Sequence, residues 1–117
     1  QTYRFINGGR WEKIADTGGN DVEARGNAFF VAATWAGLLR FENGASQKLW
    51  SGNSSSVTTD AQNRIAVGSS DGVYLSRDGG KNWALQSGLP HRFDSVVALA
   101  GERLLAGTRG NGAFWMP

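Results

Sequence analysis

Cysteine is absent from the 117-residue chain. No disulfide framework, thiol chemistry or Cys-ligated zinc site is therefore open to it. There is one histidine, His91, so a multi-His metal centre within one chain is excluded, and neither a metal nor a cofactor is predicted. An excess of one charge is also missing. Twelve Lys and Arg face ten Asp and Glu, a formal net charge of +2 without any basic block, which argues against nucleic acid as a partner. No apolar run approaches the roughly 18 residues of a membrane-spanning helix. A charged-then-apolar leader is missing as well, and residue 1 is Gln rather than Met, so the amino terminus is expected to be processed or cut. Proline is scarce, at two, and no capped helical pattern of useful length is present.

What the chain has is glycine, 17 residues of it, with five Trp, six Phe and two Tyr. It turns often and still carries rings to bury. Three segments align without gaps: Val22 to Thr34, Val57 to Ser69 and Val96 to Thr108. Their starts lie 35 and 39 residues apart. Each runs a short strand, a turn (Gly26-Asn27, Gln62-Asn63, Gly101-Glu102), and an apolar strand ending in two small residues. A Gly-led third strand follows from Gly37, Gly72 or Gly112. After the first two of these come a tight turn at Asn43-Gly44 or Asp78-Gly79-Gly80 and a fourth strand near Trp50 or Trp83. Internal repetition at this period decides the fold class. Four short antiparallel strands per repeat predict an all-β chain of β-propeller blades. Tyr3 to Trp11 reads like Tyr74 to Trp83 with one residue deleted. The expected layout is thus the outer strands of an incomplete blade (1–15), a blade (22–50), a second (57–87) and an incomplete one (96–116), about three blades of a six-to-eight-bladed ring.

Ser76-Arg77-Asp78-Gly79-Gly80-Lys81-Asn82-Trp83 fits the pattern Ser-x-Asp-x-Gly-x-x-Trp, with degenerate copies at Ile6 to Trp11 and Phe41 to Gly44. The chain in this respect resembles the Asp-box (BNR-repeat) propeller superfamily, which includes sialidases, sortilin-type domains, xyloglucanases and photosystem II assembly factors. The resemblance implies a structural box set away from the active face. Ser76, Asp78, Gly80 and Trp83 then serve the hairpin: the carboxylate accepts turn amides, Gly permits positive φ, and the indole packs between blades. A calcium role for Asp78 is disfavoured, because one carboxylate in a two-Gly turn supplies too few ligands. Sialidase chemistry, as the resemblance describes it, needs an arginine triad, a Tyr–Glu pair and an acid Asp spread over six blades. About three blades cannot supply that set alone.

Strand order allocates the loops. Those between strands two and three of a blade, and from four to the next blade, share the face that propellers commonly offer to ligands. The ligand-binding candidates on it are Trp35, Asp71, His91, Arg92, Arg109 and Asn111. Trp35 has no alternation partner and suits stacking on a sugar, a lid or a subunit contact. Arg109 can hold a carboxylate bidentately. His91 as a general base would need a carboxylate such as Asp94. A glycosidase requires two carboxylates about 5 to 9.5 Å apart across a cleft, and nothing in the spacing of Asp16, Asp21, Asp71 and Asp94 singles out a pair. No catalytic residue is assigned. The reading favoured is a non-catalytic module binding carbohydrate or a protein. Its rivals are a segment of a secreted glycoside hydrolase and a structural or assembly-factor propeller. A second copy, or another propeller fragment, is expected to complete the ring, and a secreted or periplasmic bacterial setting is expected.

Overall fold

Alternating small and β-branched residues between glycine turns make strands of this chain, because such side chains pack on a pleated surface and the turns need positive φ. The structure is a computed structural model; it describes residues 2–6, 10–15, 19–86, 96–101, 103–108 and 112–116, with side chains over 19–86 and part of 97–107. The described residues form thirteen strands and no helix. The first sheet pairs β1 (Thr2–Ile6) with β2 (Arg10–Ala15). The second is a four-stranded antiparallel meander of β3 (Asp21–Arg25), β4 (Ala28–Ala32), β5 (Leu38–Glu42) and β6 (Ala45–Trp50). The third repeats that order with β7 (Ser54–Thr59), β8 (Ile65–Ser69), β9 (Gly72–Ser76) and β10 (Ala84–Leu85). The fourth holds β11 (Val96–Ala100), β12 (Arg103–Thr108) and β13 (Gly112–Met116).

Sheets stack through their faces, and β8 shows why. Its Ile-Ala-Val-Gly-Ser run is buried throughout, as a strand covered on both faces must be. Successive side chains point oppositely. Ile65 and Val67 join Phe30, Ala32, Leu38 and Val57 in a core with the second sheet. Ala66 turns the other way, to Val73, Leu75, Val97, Leu104 and Ala106, in a core with the fourth. Each fully buried Val, Leu or Ile stabilises the fold by roughly 1.5–3 kcal/mol.

The leading strands lie side by side, β7 packing against β3 on one flank and β11 on the other. Side chains just ahead of the first two repeats latch neighbouring sheets. Asp21 Oδ2 accepts the Val57 amide at 3.0 Å, and Ser56 Oγ accepts the Val97 amide at 3.2 Å. At the outer edge, Trp83 Nε1 donates to the Leu49 carbonyl at 3.0 Å. This indole is half-buried, packed against the core that the second and third sheets share. β10 has only two residues, both exposed, so little covers the ring's outer side. Arg64 pairs with Asp60 at 2.6 Å and also donates to the Gly101 carbonyl, tying the third sheet to the fourth. Burial raises the Asp60 carboxyl, but the hydrogen bonds from Arg64 and the Gln62 amide outweigh it and leave the group below its ordinary range.

Candidate functional site

The meander order sends the β4–β5, β6–β7 and β8–β9 connections to one end of the sheets. The second and third sheets are stitched together there. Thr34 and Ser54 form an isolated bridge, with the Ser54 amide donating to the Thr34 carbonyl at 3.0 Å. Asn20 donates its side-chain amide to Thr34 Oγ1 and, at 3.1 Å, to the Ser54 carbonyl. The Ser70 amide reaches the Asn53 carbonyl at 3.2 Å.

Trp35 stands on this platform. Thr34 takes a left-handed φ of 48°, and the Ala36 amide closes on the Ala33 carbonyl at 2.9 Å. Gly37, at φ 81°, finishes the turn where a Cβ would lie 2.1 Å from the Trp50 carbonyl oxygen, so no other residue fits. The result is a rigid loop with its indole 85% exposed. Asp71 occupies the corresponding loop of the third sheet. Its amide is taken by Ser69 Oγ at 3.1 Å, and that hydroxyl donates to the Gly72 carbonyl at 2.8 Å, so the exposed carboxylate sits on a braced turn. Both candidates therefore share one end of adjacent sheets. His91, Arg92, Arg109 and Asn111 lie outside the described residues, as does Asp94.

At the opposite end, Ser76 to Trp83 forms a turn closed by its own side chains. Ser76 Oγ donates to Asp78 Oδ1 at 2.8 Å and accepts the Gly80 amide at 2.9 Å. Asp78 Oδ1 accepts the Lys81 and Asn82 amides at 3.1 and 2.9 Å, while Oδ2 accepts the Asn82 side-chain amide at 2.7 Å. These donors, Asn82 first, hold the Asp78 carboxyl down to about 2. Its lone pairs are spent on the hairpin. Among the described residues no group of three or more His, Asp or Glu side chains could hold a metal ion.

Beside that turn lies a feature absent from the sequence reading, a cleft of about 540 Å³ between the second and third sheets. Its second-sheet wall includes Arg25, Asn27, Arg40 and Gln47, and its third-sheet wall Thr59, Asn63 and Lys81. Arg40 is ion-paired with Glu42, two residues on and hence on the same strand face. The only sequence signal for this cleft is that i, i+2 pair of opposite charges.

No family model and no curated protein matches the chain. Among solved structures it is similar to the GH74 xyloglucanase from Xanthomonas campestris, with a TM-score of 0.58 and 21% identity. The likeness covers 78% of this chain and 15% of that one. That enzyme is a β-propeller, and the likeness shows the fold: the described sheets are propeller blades of antiparallel strands.

Proposed function

We propose that the chain is part of a β-propeller binding module that recognises carbohydrate on the end carrying Trp35. One observation supports this above the others. An indole 85% exposed on a hydrogen-bonded turn has no packing role, and its flat apolar face suits the C–H face of a pyranose ring. Exposed aromatic surface on a rigid loop is the form that binding anchors take. Asp71 supplies a further polar group on the same end. A second copy, or another propeller fragment, completes the ring, with residues 10–14 of that copy pairing along β13. A bacterial, secreted or periplasmic setting accords with the likeness to an enzyme of Xanthomonas campestris.

The test is a glycan array probed with the unaltered chain and with Trp35→Ala. Binding of at least one glycan, lost in the variant while thermal unfolding is unchanged, is the expected result. A silent array with capture of a folded protein partner would replace carbohydrate by protein and favour the assembly role.

A second reading is favoured by the structural likeness to a glycoside hydrolase. Here the chain is a segment of such an enzyme whose catalytic residues lie outside it. Release of reducing sugar from an oligosaccharide by a preparation containing this chain, abolished by Asp71→Asn or Asp94→Asn, would instead assign catalysis to the chain itself.

A further inference from the structure

The cleft at the opposite end from Trp35 is lined by groups whose chemistry converges. Its volume of about 540 Å³ lies within the roughly 300–1,000 Å³ of small-ligand sites. Two exposed cations face it from different sheets, Arg25 from the end of β3 and Lys81 from the β9–β10 turn. Neither is in an ion pair among the described residues. Of the two carboxylates that line the cleft, Glu42 is paired with Arg40, while Asp78 is hydrogen-bonded by neutral donors of its own hairpin and keeps its negative charge. Three cations and two carboxylates thus line the cleft, and the one positive charge in excess sits on the side of the unpaired cations Arg25 and Lys81. Between them stand Asn27 and Gln47 on one wall and Thr59 and Asn63 on the other. Amides and hydroxyls both donate and accept, which matches the hydroxyls of a sugar and has less to offer a bare inorganic anion.

We infer that this cleft is a binding site for an acidic oligosaccharide, a chain of uronic acid residues whose carboxylates meet Arg25 and Lys81 and whose hydroxyls meet the amide and hydroxyl walls. Arg25 presents a planar fork suited to a carboxylate, and Lys81 a point charge. The site is separate from the Trp35 end and stands whether or not that end binds sugar.

The experiment is calorimetric titration of the full chain with trigalacturonic acid, with neutral maltotriose and tri-glutamate as comparison ligands. Binding of the uronate trimer is expected, with the neutral trimer at least tenfold weaker. Arg25→Ala combined with Lys81→Ala should weaken it at least tenfold. Both cations are exposed, so the variants should fold, which near-ultraviolet circular dichroism checks. On the unaltered chain, raising salt from 50 to 500 mM should weaken binding several-fold, since exposed charges are screened. No heat with the uronate, equal affinity for maltotriose, or indifference to both the double variant and salt would overturn the assignment. Equal affinity for tri-glutamate would overturn the sugar half of it.

Discussion

At the scale of single residues, Asp78 and Trp83 show how one turn holds two sheets. The Asp78 carboxyl is held at about 2 against an ordinary 3.8. A depressed folded value stabilises above the unfolded pKa and is lost as pH falls through the folded one. The hairpin's contribution should therefore be complete above about pH 5 and fade between roughly 4 and 2. Urea midpoints measured across that range should fall more steeply for the unaltered chain than for Asp78→Asn, and parallel curves would contradict the assigned hydrogen bonds. Trp83 donates its indole N–H to the Leu49 and Gly80 carbonyls and remains partly exposed to solvent. Trp83→Ala should cost about 2–3 kcal/mol in chemical denaturation, below the roughly 3–5 of a fully enclosed ring. Trp83→Phe keeps the ring and should lose about 1 kcal/mol, the worth of the hydrogen bonding. A loss below about 0.5 kcal/mol for the alanine variant would detach Trp83 from the union of the two sheets.

At the scale of strands, the latches at Asp21 and Ser56 join neighbouring blades beside their apolar cores. Each side chain accepts a main-chain amide of the next sheet's leading strand, Val57 or Val97. Asp21→Ala and Ser56→Ala should each destabilise by about 1 kcal/mol. Hydrogen exchange should quicken at Val57 in the first variant and at Val97 in the second, and exchange unchanged at both amides would refute the latches. Strand order and turns were legible because a repeat of period 35 and 39 exposes insertions and equivalences that single strands hide. The partial exposure of Trp83 was not legible, because it depends on β10 stopping after two residues and no local pattern sets that length. The Trp35 end could be read from loop allocation alone. The cleft could not, since its walls come from six strands, β3 to β8, with three turns, and its free charge depends on Arg40 choosing Glu42.

At the scale of the whole molecule, β13 pairs only with β12 among the described residues, so its other side is a row of main-chain groups open to another strand. Light scattering of the purified chain should give a mass near twice 12.5 kDa, and removing residues 1–15 should return it toward one copy. A monodisperse single-copy mass for the unaltered chain would exclude pairing through that edge. The latches have a consequence for descent. The acceptor precedes its own repeat, while the donor is a main-chain N–H that any residue but proline provides. A copied stretch of one period thus arrives with its plug and its socket already in place. Such a chain can lengthen or shorten by whole units through duplication or deletion, the latch at each new junction needing one side chain.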